Sequence, residues 1–294
     1  MLLAENKALD PLDALRTIAI TDGIPELVRL FDFQRPFAEN LGLLFTQNSA
    51  YFRYAESELR RHFRTPETYN ILLYGMATGH NRISQLAEFS GFPQNKCDKY
   101  LKTLDKAGLL ETVQRKDTTG HVRTHYYPKG GYWKTWFRYV FPSQGCRLKL
   151  LEGSNLQQLA DDIDCSIVVE YFKTVCWKWM RKNYGDYYWD EILRFDDPKR
   201  QNVTVNGAHF DYVQETKDHT IYVKIWDNIR EGFPKAEFQK IESVTTKSRP
   251  FYENIYFLFS VGRACNYVEQ LRNLETVSVV DLKSLLGQKN KELF

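Results

Sequence analysis

The chain has 294 residues, of which 43% are hydrophobic and 26% are charged, and its formal net charge is +3. This length allows more than one domain, and this composition is that of an ordinary globular protein, which excludes a wholly disordered chain. A charge of +3 is too small to indicate nucleic-acid binding by itself, so such an argument needs local clusters of basic residues.

The N-terminus and the cysteines indicate in which cellular compartment the protein is expected. The first residues lack a basic segment followed by an apolar core, and no run approaches the ~18 apolar residues that span a bilayer. The five cysteines are scattered and include no CxxC pair, which is typical of reduced thiols. We therefore expect a cytoplasmic protein that does not bind a membrane.

Residues 1–64 carry helix signals. Asp10-Pro11 begins a helix that is expected to end near Thr21, and Pro25 begins a second one. A further short helix is expected at 54–63. This part of the chain is therefore predicted to be a helical segment.

Residues 65–130 have the order of elements found in a winged helix-turn-helix. Thr65 and Pro66 begin a helix, with Thr65 as the N-cap, and Gly79 ends it. Gly91 ends a second helix and Pro93 begins a third, and two strand patterns at 109–113 and 122–127 flank a polar tip at 115–120. The sequence therefore predicts three helices and a two-stranded wing. Their predicted common core is Leu72, Leu73, Leu86, Tyr100, Leu101 and Leu104.

The third helix of this segment is predicted to have a basic outer face. A recognition helix needs such a face, because contacts to phosphates supply much of the affinity for nucleic acid. The same face is also ordinary for a helix that only meets water, so a structural or partner-binding winged helix stays open. The candidate DNA-binding residues are Lys96, Lys99, Lys102, Lys106, Arg115, Lys116 and Arg123.

Residues 131–164 are predicted to form an aromatic helix and a linker, and residues 165–294 an α/β domain. In the α/β domain a long helix at about 166–183 precedes strand patterns, and Asn206-Gly207 is a hairpin signal. Asp281 is expected to cap a last short helix. The predicted fold class is α/β (α+β), with a mixed sheet after the helical segment and the winged helix.

Several stretches of the chain resemble the C-terminal half of archaeal-type (DEXX-box) P-loop ATPases. These are Gly23-Ile24-Pro25-Glu26, the winged-helix pattern from Thr65 and the sequence WFRYVFP at 136–142. In that family a P-loop core precedes a winged helix, and the chain closes with a domain resembling PD-(D/E)xK restriction-endonuclease-like nucleases. The resemblance implies a prokaryotic protein and makes a separate ATPase, or a second copy of this chain, a candidate partner. This sequence contains no GxxxxGK[ST], so ATP hydrolysis by it is not expected.

The resemblance also implies a nuclease-type site. Asp211 fits the first acidic position and Lys224 fits the lysine, but Tyr222 stands where the second carboxylate belongs. On the long helix, Lys173 stands at the acidic position, and Glu170 lies one turn earlier as a substitute. Other acids that could have taken over the second position are Glu215 and Asp227. One carboxylate seldom holds a catalytic Mg²⁺, so decay of the site is the favoured interpretation.

Three functions follow from these patterns. The first is a DNA-binding protein whose nuclease-fold domain is degenerate and does not cleave, acting without a cofactor in regulation or in a defence or mobile-element system. The second is a metal-dependent DNA nuclease that uses Asp211 and Lys224, with Mg²⁺ bound by Asp211. The third is a protein-interaction module for a separate ATPase.

Overall fold

The computed structural model describes residues 10–46, 49–116, 121–141, 155–184, 187–188, 191–195, 197, 199–248 and 252–287. The chain divides into two compact units. We call Leu15–Val168 the helical unit, and Val169–Phe294 with Met1–Ala14 the sheet unit. Within the described ranges, no helix combines the length and the apolar character that crossing a bilayer requires.

The helical unit begins with short helices whose apolar faces share one core. Leu15 and Leu41 are fully buried in it, and the Tyr51 hydroxyl donates to the carbonyl oxygen of Ile20 at 2.8 Å. These helices have the bounds Pro11–Thr21, Pro25–Val28, Phe37–Leu44 and Ala50–His62. The predicted helical segment is therefore present.

The next segment contains the predicted helices and hairpin, with the bounds Pro66–Ala77, Ile83–Ser90, Gln94–Lys106, β1 (Leu110–Lys116) and β2 (Val122–Pro128). The strands pair antiparallel. Thr65 occupies the N-cap position, but its side chain makes no capping hydrogen bond, so Pro66 with its fixed φ is the effective helix start. The predicted tip at 117–120 lies outside the described residues.

The predicted core of this segment is confirmed with one difference. Leu72, Leu73, Leu86, Leu101 and Leu104 are buried, as predicted. Tyr100 is only half-buried, and its ring meets the edges of the Tyr69 and Phe92 rings at 5.2 and 5.9 Å. Tyr100 therefore lies at the border of the core.

The predicted aromatic helix is held to the start of the helical unit. Asp22 accepts the backbone N–H groups of Gly131 and Tyr132 at 2.7 and 3.1 Å, which places a carboxylate at a helix N-terminus. The Tyr132 ring lies 4.9 Å from the Tyr51 ring. The segments here are Gly130–Thr135, the π-helical Trp136–Val140, Asn155–Ile163 and the π-helical Asp164–Val168. The predicted linker at 145–154 lies outside the described residues.

The sheet unit has the strands β3 (Tyr187–Tyr188), β4 (Glu191–Ile192), β5 (Gln201–Val205), β6 (Ala208–Glu215), β7 (His219–Trp226), β8 (Glu253–Ser260) and β9 (Val277–Asp281). The last five of these form a mixed sheet in the order β5-β6-β7-β8-β9. In this sheet β5, β6 and β7 pair antiparallel, whereas β7, β8 and β9 run parallel. The α+β class and the mixed sheet are therefore as predicted. The helices of the sheet unit are Val169–Tyr184, Lys235–Ser248, Asn266–Gln270 and Leu282–Leu285, with a 3-10 turn at Leu271–Asn273.

The two faces of this sheet are covered by different helices. Leu258 of β8 shares a core with Phe238 of Lys235–Ser248, which we call the crossover helix. The next residue, Phe259, meets the Trp179 ring of Val169–Tyr184 at 5.6 Å. Because successive residues of a strand point to opposite faces, this second helix, which we call the long helix, covers the other face.

Candidate nucleic-acid interface and nuclease-like position

The helix Gln94–Lys106, which we call the lysine helix, has one buried and one exposed face. Leu101 and Leu104 are buried, whereas Lys99 and Lys102 are exposed. The predicted orientation is therefore confirmed. Lys96 and Lys106 are exposed as well. The helical repeat thus presents a series of ammonium groups to solvent from a rigid, packed element.

Two of these lysines contact a neighbouring side chain. The Lys102 Nζ atom lies 2.6 Å from an oxygen of Asp98, one turn earlier. The Lys96 Nζ atom lies 4.2 Å from the centre of the Phe92 ring. An exposed ion pair of this kind contributes little to stability, because water and salt screen it, so Lys102 can exchange Asp98 for another anion.

The hairpin carries the remaining candidate DNA-binding residues. Arg115 and Arg123 lie directly opposite each other in the antiparallel register, both exposed, and so share one face of the hairpin. Lys116 ends β1, and its side chain lies outside the described part of the structure. Burial, Arg115 and Arg82 together lower the pKa of His125 on the same face. Burial is the largest cause of this lowering, and the two guanidinium groups add to it, so positive charge lies near His125.

Asn81 connects the hairpin to the first helix of the segment. This contact is not predicted from the sequence. Its side-chain amide donates to the carbonyl oxygens of Met76 and Tyr126 at 3.1 and 3.0 Å. The Tyr126 N–H donates back to the Asn81 carbonyl at 2.8 Å. An asparagine after Gly79 indicates a turn, but the turn signal does not identify its partner across the fold.

Asp211, the first acid of the nuclease-like pattern, is only 6% exposed and makes two contacts. One carboxylate oxygen accepts the backbone N–H of Ile225 at 2.7 Å. The other lies 3.5 Å from the Nζ atom of Lys173 on the long helix. Asp211 therefore faces the long helix.

Lys224 and Tyr222, the other two positions of the pattern, face the crossover helix. The Lys224 Nζ atom donates to the carbonyl oxygen of His209 at 2.8 Å and lies 3.5 Å from an oxygen of Glu237. Tyr222 is 2% exposed in the core on that face. The structure thus does not bring Asp211 and Lys224 together into the predicted nuclease-type site, because the two side chains point to opposite faces of the sheet. The reason is a bulge in β6.

The acids named as substitutes do not complete a site. Glu170, Glu215 and Asp227 are exposed, whereas Asp211 is buried. Across the described ranges, no group of three or more His, Cys, Asp and Glu side chains is placed to hold a metal ion. A Mg²⁺ site around Asp211 is therefore not assembled by the residues that the structure describes.

No protein-family model matches this chain. A stretch of 129 residues is 29% identical to an uncharacterised protein of Methanocaldococcus jannaschii. The match covers 42% of this chain and 28% of that protein, so the chain spans less than a third of the length of its relative. The name of this relative describes no activity, and a functional assignment therefore rests on the geometry.

Proposed function

We propose that this chain is a DNA-binding protein, that residues 65–130 act as a winged helix and that the lysine helix is its recognition helix. The observation that carries the proposal is the separation of faces on that helix, with Leu101 and Leu104 buried and the lysines exposed. Duplex DNA has a dense row of phosphates, and ammonium groups on one packed helix can contact several of them.

The hairpin supports this proposal as the wing. Its strands follow the lysine helix directly, and Arg115 and Arg123 place two guanidinium groups on one face. A phosphate of the duplex backbone is an anion that suits guanidinium groups.

For the sheet unit we propose a restriction-endonuclease-like domain that does not cleave DNA. The support is geometric, since Asp211 and Lys224 face opposite sides of the sheet and Tyr222 fills the place of a carboxylate within an aromatic core. The resemblance to archaeal-type ATPases extends the proposal to a cytoplasmic, prokaryotic protein that works with a separate ATPase or with a second copy of itself. The role suited to such a protein is in regulation or in a defence or mobile-element system.

The test of DNA binding is the replacement of Lys96, Lys99 and Lys102 by alanine together. We expect weaker binding to a duplex in fluorescence anisotropy. The slope of log affinity against log salt should fall by about one for each phosphate that the variant no longer neutralises. The matched control replaces three exposed lysines of the crossover helix, Lys235, Lys240 and Lys247. An unchanged slope in the first variant, or an equal weakening in the control, would place the DNA-binding surface elsewhere.

A second variant is expected to change affinity in the opposite direction. Asp98→Asn removes the anion that Lys102 contacts and frees its ammonium group for phosphate. We expect roughly twofold to fivefold tighter binding to a duplex, the range that corresponds to one surface charge interaction. The gain should vanish when Lys102 is also replaced by alanine, and a gain that persists there would contradict the proposed contact.

The proposal also predicts that the purified chain neither hydrolyses ATP nor cuts duplex DNA with Mg²⁺ or Mn²⁺. ATP hydrolysis is not expected because the sequence has no P-loop, whose backbone N–H groups would hold the phosphates of ATP. DNA cleavage is not expected because the described residues form no group that could hold a metal ion with Asp211. The measurement is release of phosphate and nicking of a supercoiled plasmid. Nicking that disappears in the Asp211→Ala variant would instead favour the nuclease hypothesis.

A further inference from the structure

The buried carboxylate of Asp211 is balanced by a charge that the chain itself supplies. Burying an ionised carboxylate is costly unless a counter-charge and hydrogen bonds compensate for the water that it gives up. The Ile225 N–H supplies one hydrogen bond, and the Lys173 ammonium, 3.5 Å from Oδ1, supplies the charge. The Lys173 side chain is 29% exposed, so it contacts Asp211 while part of it remains in water.

A bulge in β6 explains why Asp211 meets this lysine. Asp211 and Tyr212 are consecutive, yet both contact the long helix, because the Tyr212 ring lies 6.1 Å from the Trp177 ring. Phe210 points to the other face, where its ring lies 4.9 Å from that of Tyr222. Two consecutive residues on one face mark a bulge, and the carboxylate of Asp211 accepts an N–H of the neighbouring strand there.

We propose that the Lys173 ammonium is the built-in cation of this position, neutralising Asp211 and taking the place beside Oδ1 where a divalent cation would otherwise bind the carboxylate. Lys173 and Cys176 stand three residues apart on the long helix and so on one face. The Cys176 thiol is buried, and its pKa is raised by burial and by Asp211, so it stays protonated and supplies no thiolate ligand. The position is thereby an ion-pair contact between helix and sheet instead of a metal site.

The proposal is tested by Lys173→Glu, which removes the ammonium and adds a second carboxylate beside Asp211. We expect this variant to unfold at a lower temperature in EDTA, and its melting temperature to rise by about 4 °C or more with millimolar Mn²⁺. Electron paramagnetic resonance should detect one bound Mn²⁺ per chain. Wild-type protein, and the double variant Lys173→Glu with Asp211→Asn, should show neither the rise in melting temperature with Mn²⁺ nor bound Mn²⁺.

Three results would overturn the proposal. They are Mn²⁺ binding by wild-type protein that Asp211→Asn abolishes, equal Mn²⁺ binding by the single and the double variant, and no Mn²⁺ binding by a folded Lys173→Glu variant. If Lys173→Glu does not fold, Lys173→Gln tests the counter-charge alone. Its melting temperature should fall, and it should recover when Asp211→Asn removes the carboxylate charge that Lys173 balances. A Lys173→Gln variant as stable as wild type would contradict the inference.

Discussion

The Tyr222→Glu variant is expected to unfold the sheet unit instead of restoring a nuclease site. Tyr222 is almost fully buried, with its ring 4.9 Å from that of Phe210 and 5.7 Å from that of Tyr256. A carboxylate there would give up its water, and Lys224, a cation on that face, already contacts Glu237. We expect the free energy of unfolding, measured by denaturant titration, to fall by at least about 4 kcal/mol.

The matched control for this prediction is Tyr222→Phe. It keeps the ring in the aromatic core and removes the hydroxyl alone, so we expect the free energy of unfolding to fall by about 1 kcal/mol. A Tyr222→Glu protein that unfolds at the wild-type denaturant concentration would show that position 222 is open to water. That result would return this position to consideration as a metal ligand.

Gly131→Ala is expected to destabilise the helical unit by about 3 kcal/mol or more. A Cβ atom at Gly131 would lie 1.7 Å from the backbone carbonyl oxygen of Ala19. Backbone on both sides of this close approach must move, and the movement also disturbs the hydrogen bond from the Gly131 N–H to Asp22. Thermal unfolding followed by circular dichroism measures the effect.

Gly42→Ala serves as the control for this substitution. Its Cβ would meet side-chain atoms of Leu156 at 3.3 Å, and a flexible side chain can shift. Gly42 lies in the helix Phe37–Leu44, where alanine is favoured over glycine, so we expect no destabilisation and up to about 1 kcal/mol of stabilisation. Equal effects of the two substitutions would contradict the close approach at Gly131.

Local features were predictable because their causes lie close together in the sequence. The leucine and lysine spacing between Lys96 and Leu104 indicated the orientation of the lysine helix, since both faces follow from one helical period. Asn206 and Gly207 indicated the β5–β6 hairpin, and both have the positive φ that such a turn needs, 45° and 80°. Asp281 caps the last helix by accepting the N–H of Ser284 at 2.8 Å, as expected.

The arrangement around Asp211 was not predictable in the same way. Strict alternation along β6 and β7 sets Asp211 opposite Lys224, and a bulge changes which face a residue takes without leaving a turn signal in the sequence. The lysine that does contact Asp211, Lys173, comes from the long helix, far away along the chain. Long-range pairing of this kind depends on how helix and sheet pack, which residue periodicity does not encode.

Contact between the lysine helix and DNA can be measured by lysine acetylation footprinting with and without duplex DNA. Mass spectrometry measures the acetylation rate of each lysine separately. We expect duplex DNA to slow acetylation of Lys99 and Lys102, and salt to reverse this protection because the contacts are to phosphate. Lys235 and Lys240 of the crossover helix should be unaffected. Protection of Lys235 and Lys240, with unchanged rates at Lys99 and Lys102, would show that DNA binds elsewhere than the lysine helix.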